Sequence, residues 1–279
     1  MAKIILTLTL AFWFAAVSTC QSNKTETPNK QANAALANSV ATGPNPSSEQ
    51  KVTINSPDGV RLVGTFYPAG NPHAKALLLL HQWQSDRHSY DDFAKQMQGK
   101  GFAILSIDGR GFGESTRAAD GMTVPAERTD AAVKAMLGDV GAAFDFLAKQ
   151  QNVDAWRIGI VGASYGSSAA LIYAADHPNV GAVALLSPGL NYFGNMPTEP
   201  AVKKYGDRPM LFLAADDDKE SADAVRKLDP MGQDQFRYSQ KIYTTGGHGT
   251  ALLNVGAGEE LESFFTRVLD LAGTQPVKP

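Results

Sequence analysis

The residue best suited to chemistry in this sequence is a serine inside a glycine-flanked pentapeptide. Residues 162–166 read Gly-Ala-Ser-Tyr-Gly, after the strand-like run 157–161 and before the small residues of 167–175. This order predicts a strand, a sharp turn and a helix, which is the nucleophile-elbow pattern G-x-S-x-G. The glycines would let the helix pass close to the strand, with Ser164 in a strained conformation. The pentapeptide alone leaves open an ordinary glycine-rich turn between a strand and a helix.

The groups that could activate such a serine follow it in the sequence. Three consecutive aspartates, Asp216, Asp217 and Asp218, and a histidine, His248, each come after a predicted strand. A serine hydroxyl is a weak nucleophile at neutral pH, so a histidine would take its proton and return one to the leaving group. An aspartate would fix the imidazole tautomer. The order serine, aspartate, histidine is the one that G-x-S-x-G enzymes use.

These groups can meet only if the chain between them alternates between strands and helices. Short apolar runs typical of buried strands lie at 76–80, 103–107, 158–161, 181–186, 209–213 and 241–244. Helical spacing of apolar residues is found at 90–100, 130–150 and 259–271. The alternating segments 52–54 and 61–67 flank a turn signal and predict an antiparallel hairpin. The alternation predicts an α/β fold with a mainly parallel sheet, whose active sites form at the carboxyl ends of the strands.

Residues 52–271 resemble the α/β-hydrolase superfamily, close to its dienelactone-hydrolase-like and carboxylesterase members. The motifs that carry the resemblance are Leu-His-Gln-Trp at 80–83, Asp-x-Arg-Gly-x-Gly-x-Ser at 108–115, Gly-x-Ser-x-Gly at 162–166, Ala-x-x-Asp at 215–218 and His-Gly at 248–249. The resemblance implies a twisted, mainly parallel sheet with helices on both faces and an N-terminal antiparallel hairpin. It also implies a catalytic triad of Ser164, Asp218 and His248. Relatives usually have glycine where this chain has Ala215, so Asp216 and Asp217 stay open as alternatives for the acid.

The same resemblance implies an oxyanion hole made by backbone N–H groups. Tyr165 follows the nucleophile and supplies one donor, and Trp83 supplies the second. Relatives usually have His-Gly where this chain has His81-Gln82, so Gln82 stays open as the alternative second donor. His81 is expected to position its loop by hydrogen bonds. Trp83 and Tyr165, together with Tyr192, are candidates for lining the substrate pocket, although such aromatics are also common in cores.

Two charged residues of the 108–115 motif are expected to have a structural role. Asp108 and Arg110 are separated by a single glycine. We expect them to form a pair that stabilises their turn, in preference to a role in binding substrate.

The expected activity is hydrolysis of carboxylic esters through an acyl-enzyme intermediate. Residues 187–206 are too few for the helical lid domain of many relatives and predict an open cleft for small or exposed acyl substrates. Peptidase or thioesterase chemistry on the same triad is an alternative, as is a non-catalytic, envelope-tethered binding module. No metal-ligand spacing is found, and we expect neither a metal nor an organic cofactor. The net charge of −3 does not indicate the positively charged surface that nucleic-acid binding requires.

The first residues predict export from the cytoplasm. Residues 1–19 combine one lysine, an uncharged apolar stretch and small residues, as in a signal peptide. Cys20 stands where a bacterial lipoprotein carries its lipid, although Thr19 departs from that pattern. A plain signal peptide and a free secreted protein are the alternative. We expect a flexible tether over 20–50, one hydrolase domain over 51–272, a disordered tail over 273–279, and a place in the periplasm or outer cell envelope.

Overall fold

A computed structural model describes residues 48–231 and 238–272 of the chain. The predicted signal peptide, Cys20, nearly all of the predicted tether and the tail over 273–279 lie outside these residues. None of the helices within the described part has the length and apolar character that a membrane crossing requires.

Strands and helices alternate along the described residues. The strands are β1 (Gln50–Asn55), β2 (Val60–Tyr67), β3 (Ala74–Leu80), β4 (Ala103–Ile107), β5 (Arg117–Ala118), β6 (Val153–Ala163), β7 (Ala182–Leu186), β8 (Asn191–Tyr192), β9 (Met196–Pro197), β10 (Met210–Ala215) and β11 (Tyr238–Tyr243). The α-helices are α1 (Asp91–Gly99), α2 (Asp130–Ala148), α3 (Tyr165–Asp176), α4 (Thr198–Tyr205), α5 (Lys219–Leu228) and α6 (Ala257–Ala272). Short 3₁₀ helices span Arg87–Tyr90, Asp229–Met231 and Gly249–Val255.

Within the described residues, the main sheet has nine strands in the order β1-β2-β4-β3-β6-β7-β10-β11, with β5 paired to β2. The first two strands form the predicted antiparallel hairpin, and β2 is also antiparallel to β4. The short β5 is antiparallel to β2 as well. The pairs that join β4, β3, β6, β7, β10 and β11 are all parallel. The carboxyl ends of these six parallel strands therefore share one edge of the sheet, which confirms the predicted fold class.

Apolar layers cover both faces of the sheet. On one face α2 and α3 pack through side chains such as Phe144 and Leu171. On the other face α1 and α6 pack through side chains such as Phe93 and Phe265. Fully burying a side chain of this size stabilises the fold by roughly 1.5–3 kcal/mol. The layers hold the sheet rigid, so the loops at its carboxyl edge start from fixed positions.

The expected pair between Asp108 and Arg110 is absent, and each residue has another partner. Asp108 is fully buried and pairs with the Arg87 guanidinium, while its Oδ1 accepts from the Arg87 N–H at 2.8 Å. Arg110 points the other way and donates from Nε to Asp139 Oδ2 at 2.6 Å. Both residues hold loops in place, as expected, but they link different segments because their side chains leave the turn in different directions.

Candidate active site

The predicted elbow is present at the end of β6. Ser164 has φ 55° and ψ −126°, a conformation that is uncommon for a residue other than glycine. It is 6% exposed, and α3 begins at the next residue, Tyr165. A Cβ atom on Gly162 would lie 2.1 Å from the carbonyl oxygen of Gly166, so a side chain there would clash. The strained serine and the two glycines thus form one tight strand-to-helix turn.

Hydrogen bonds at the strand ends connect this elbow to the loop that carries His248. The Ser164 N–H donates to the Leu186 carbonyl at 2.8 Å, at the end of β7. The next residue, Ser187, accepts from the Gly249 N–H through its Oγ at 2.9 Å. Because Gly249 directly follows His248, this buried serine fixes the histidine loop beside the elbow. The sequence reasoning did not identify Ser187, whose only signal was a polar residue directly after a buried strand.

His248 contacts one of the three consecutive aspartates. Its Nδ1 lies 2.6 Å from Asp218 Oδ2. The His248 side chain is 44% exposed and that of Asp218 is 14% exposed, so the imidazole is open to solvent while the carboxylate is largely covered. A carboxylate on Nδ1 orients the ring and leaves Nε2 free to exchange a proton.

The other two aspartates have different partners. Asp217 accepts the N–H groups of Gly246 and Gly247 at 3.1 and 3.0 Å. These hydrogen bonds, that from Gly246 first, lower the pKa of the Asp217 carboxyl. Asp216 pairs with Arg226 at 2.5 Å. Asp217 therefore shapes the turn before His248, and Asp216 holds α5.

Tyr192 is hydrogen-bonded to the residue that directly follows β7. Its hydroxyl donates to the Ser187 carbonyl at 2.8 Å. Burial raises the pKa of the Tyr192 phenol, and the nearby Asp218 charge also acts to raise it. The hydrogen bond holds the half-buried phenol against Ser187, the residue whose Oγ fixes the histidine loop.

His81 fixes the loop after β3. Its Nε2 accepts from the Gly109 N–H at 2.8 Å, so the ring proton is on Nδ1, which donates to the Gln82 carbonyl at 2.7 Å. The side chain is buried, and burial lowers the pKa of the imidazole. The expected positioning role of His81 is confirmed by these bonds.

The loop after β3 contains the two candidates for the second oxyanion donor. Neither the Gln82 nor the Trp83 backbone N–H donates to another described residue. Tyr165 opens α3, where the first N–H groups have no partner inside the helix and the helix dipole favours negative charge. These donors flank the elbow, and the choice between Gln82 and Trp83 stays open.

The Gln82 side chain makes a contact that the sequence reasoning missed. Its Oε1 accepts from the Thr250 hydroxyl at 3.0 Å and from the Thr250 N–H at 3.3 Å. A Cβ atom on Gly249, which has φ 65°, would lie 3.0 Å from the Gln82 amide carbon. The glutamine thus links the loop after β3 to the histidine loop. The only signal for this link was that the chain has glutamine where relatives usually have glycine.

Three half-buried rings, Trp83, Phe112 and Phe193, form what we call the aromatic wall. The Trp83 ring lies 4.8 Å from Phe112 and 4.9 Å from Phe193, centroid to centroid. Beneath them Tyr165 is 4% exposed and belongs to the core. Of the expected pocket aromatics, Trp83 and Tyr192 are therefore half-buried, whereas Tyr165 is buried in the core.

The described residues hold no cluster of three or more histidine, cysteine, aspartate or glutamate side chains placed to bind a metal ion. The arrangement offers proton transfer and nucleophilic attack through side chains.

A family model described as serine aminopeptidase, S33, matches residues 71–215, which is more than half of the chain. The match includes Ser164 and the loop after β3 and ends before Asp218 and His248. Uncharacterized proteins from two Mycobacterium tuberculosis strains, CDC 1551 and H37Rv, are 30% identical over 153 residues, covering 52% of this chain. The chain spans about half the length of these curated relatives, 50% of each.

Solved structures share the fold. An esterase of Pyrococcus furiosus has a TM-score of 0.62 at 15% identity, covering 80% of this chain and 91% of its own. A dienelactone hydrolase from Anabaena variabilis has a TM-score of 0.59 at 18% identity, covering 80% of this chain and 99% of its own. At these identities the likeness concerns the fold alone. The chain belongs to the hydrolase family whose model is described as serine aminopeptidase, S33, and it has the α/β-hydrolase fold.

Proposed function

We propose that this protein is a serine hydrolase that cleaves carboxylic esters of small or exposed acyl substrates through an acyl-enzyme intermediate. The observation that carries the proposal is the 2.6 Å contact between His248 Nδ1 and Asp218 Oδ2, in a loop that Ser187 ties to the Ser164 elbow. Ser164 is the proposed nucleophile, His248 the general base and Asp218 the acid that orients it.

The reaction would proceed in two halves. Ser164 Oγ attacks the ester carbonyl while His248 Nε2 takes the hydroxyl proton, and the carbonyl oxygen becomes an oxyanion. The oxyanion accepts hydrogen bonds from the Tyr165 N–H and from the Trp83 or Gln82 N–H. Collapse expels the alkoxide, which receives the proton from His248. Water then attacks the acyl-enzyme by the same route, releasing the carboxylic acid and restoring the Ser164 hydroxyl.

The segment that encloses substrate in many lidded hydrolases is short here. Between β7 and β10, a fully described stretch, the chain forms the small β8–β9 hairpin and the eight-residue helix α4. Such a segment leaves the cleft open from above. An open cleft favours small acyl groups, or acyl groups exposed at the end of a larger molecule.

A peptidase is the second candidate, favoured by the description of the family model as serine aminopeptidase. Thioesterase chemistry and a non-catalytic binding module remain as further alternatives. The same triad would serve amide, thioester and oxoester bonds, so substrate comparison must separate them. A non-catalytic module would cleave none of the three.

The test is a steady-state panel on the full chain with p-nitrophenyl acetate, butyrate and octanoate, alanine p-nitroanilide and a butyryl thioester. We expect the highest kcat/KM with the short oxoesters. Ser164→Ala and His248→Ala should each abolish nearly all turnover, because triad members act as a unit. His88→Ala, which removes an exposed histidine paired with Asp91, is the matched control and should keep wild-type rates. A preference for the anilide would favour the peptidase, and no turnover of any substrate would contradict an enzyme.

We also propose that the chain is exported and anchored through a lipid on Cys20, with the hydrolase domain in the periplasm or outer envelope. The support is the sequence pattern of residues 1–20 alone. Radiolabelled palmitate should be incorporated in vivo by the wild-type chain and not by Cys20→Ala. Equal labelling of both would contradict the anchor.

A further inference from the structure

An arginine lies on the aromatic wall beside the proposed nucleophile. Arg128 precedes α2, and its guanidinium carbon is 4.6 Å from the Trp83 ring centroid and 4.8 Å from that of Phe193. Contacts of this kind between a guanidinium and aromatic faces are attractive. They hold the charged group over the wall while the residue itself stays exposed.

The two rings in contact with Arg128 lie close to residues that neighbour the proposed catalytic groups. Trp83 carries a candidate oxyanion N–H, and its ring lies 5.5 Å from that of Tyr165, the residue after Ser164. The Phe193 ring also lies 6.0 Å from that of Tyr165, and the neighbouring Tyr192 hydroxyl donates to the Ser187 carbonyl. The guanidinium therefore stands at the rim of the same cleft, one ring away from the residues around the nucleophile.

The N–H donors of this guanidinium have no partner in the part of the chain that the structure describes. Among the described residues, Arg128 makes no ion pair, and its side chain makes no hydrogen bond. Arg87 and Arg110, in neighbouring loops, are both paired with carboxylates. The acidic neighbour Asp130 is already hydrogen-bonded, by the Asn195 amide at 2.9 Å. A planar, unpaired guanidinium offers a fork of donors that matches a carboxylate.

The backbone at Arg128 is fixed relative to the wall. Asn195 Nδ2 donates to the Arg128 carbonyl at 2.9 Å, which ties this segment to the loop between β8 and β9. Phe193 belongs to that same loop. The Asn195 hydrogen bond thus fixes the backbone of Arg128 relative to the loop that carries Phe193, in addition to the contact between the guanidinium and the Phe193 ring.

We propose that Arg128 binds a carboxylate on the substrate and makes the site selective for anionic esters. The proposal rests on the proposed function and adds the substrate class. The preferred substrates carry a carboxylate on the acyl chain or on the leaving group, within reach of the rim. Substrates with an ammonium group near the scissile bond, as in an aminopeptidase reaction, are disfavoured because the guanidinium repels them.

Matched ester pairs test the proposal. One pair is the p-nitrophenyl monoester of glutaric acid and its neutral methyl diester. The other pair is 4-carboxyphenyl butyrate and 4-carbamoylphenyl butyrate, which places the charge on the leaving group. We expect wild type to prefer the anionic member of at least one pair by kcat/KM. Arg128→Gln should lower that anionic-to-neutral ratio roughly 10- to 100-fold, the range expected for charge-assisted hydrogen bonds.

Two variants serve as comparisons. Arg61→Gln removes an exposed arginine on β2 and changes the net charge equally, and it should leave the ratio unchanged. Arg128→Lys keeps the charge but loses the fork and should give an intermediate ratio. Circular dichroism melting of each variant checks that the fold is intact.

The outcomes separate this inference from the proposed function. Turnover of the neutral esters with no anionic preference in either pair, or with an unchanged ratio in Arg128→Gln, would overturn the role of Arg128 and leave the serine hydrolase standing. A ratio that falls equally in Arg61→Gln would assign the effect to net charge and would also overturn it. If the wild-type protein cleaves none of the four esters, both proposals are overturned.

Discussion

His248 Nδ1 and Asp218 Oδ2 lie 2.6 Å apart, although the two residues are 30 positions apart in the sequence. The contact joins the loop after β11 to the start of α5, at the edge of the sheet where Ser164 also lies. This contact also distinguishes Asp218 from Asp216 and Asp217, because the carboxylates of those two residues have other partners. The positions of these three carboxylates lead directly to a test by substitution.

Conservative substitution along this aspartate run should give graded effects. Asp218→Asn should lower kcat by roughly 10³- to 10⁴-fold, because the amide no longer holds the imidazole in the tautomer that can accept the serine proton. Asp216→Asn is the matched control and should leave kcat near wild type. Asp217→Asn should fall between them, because it loosens the turn at Gly246 and Gly247. Ester hydrolysis rates measure all three, and a larger loss in Asp216→Asn than in Asp218→Asn would be incompatible with the assigned roles.

The link from Gln82 to Thr250 should matter for turnover more than for folding. Gln82→Ala removes the acceptor that holds the histidine loop, and a small displacement of a catalytic group can cost about 10- to 100-fold in rate. Thr250→Val, which removes the hydroxyl donor, should lower kcat less because the Thr250 N–H remains. Gln96→Ala is the surface control, since Gln96 bonds to Glu262 away from the site.

Kinetics and stability together distinguish positioning from a general structural role of Gln82. The melting temperature of Gln82→Ala should change little, whereas kcat and the rate of serine labelling should fall together. A variant that melts much earlier but labels and turns over at the wild-type rate below its melting temperature would refute the positioning role.

The buried pair between Arg87 and Asp108 should dominate the stability of this sheet edge. Asp108→Ala removes the buried carboxylate that pairs with Arg87, whose other partner Glu114 is half-exposed, and leaves the Arg87 and Glu114 backbone N–H groups without their acceptor, so it should lower the free energy of unfolding by about 3–5 kcal/mol. Asp223→Ala, which breaks an exposed pair with Lys219, should change it little. Chemical denaturation of both variants measures the difference. Equal, small effects would mean that Glu114 alone is sufficient to compensate the Arg87 charge.

His81 should make stability depend on pH in the acid range. Burial holds the folded-state pKa of this imidazole below its usual value of about 6.5, so the unfolded chain binds a proton before the folded one does. The contribution is complete above pH 6.5 and is lost as the pH falls towards the folded-state pKa, at up to about 1.4 kcal/mol per pH unit. His81→Gln removes the titration while offering an oxygen to the Gly109 N–H. Denaturation between pH 5 and 7.5 should show a shallower slope for the variant, and identical slopes would be the contrary result.

Backbone elements could be read from the sequence far better than contacts between loops. The apolar run 103–107 coincides with β4, because a strand buried on both faces leaves a continuous signal. β11 begins at Tyr238, three residues before the predicted strand, because an edge strand with exposed positions has no such signal. The elbow was predictable because its glycines are a local steric requirement.

Side-chain partners of distant loops left no pattern to detect. Gln82 and Thr250 are 168 positions apart, and no periodicity connects them. Asp108 and Arg110 were expected to pair because they are neighbours in sequence, yet the partner of Asp108 is Arg87, 21 positions away. Arg128 belongs to none of the sequence motifs that indicated a functional residue. Its place on the wall depends on how three loops pack, which only the folded chain determines.

The most direct measurement for the proposed triad is intact-mass spectrometry of the folded full chain after treatment with a fluorophosphonate. We predict one adduct, mapped by peptide sequencing to Ser164, that forms much more slowly in His248→Ala and not at all in Ser164→Ala or in heat-denatured protein. An unmodified wild-type chain under conditions that label a control serine esterase, or an adduct on another residue, would contradict Ser164 as an activated nucleophile.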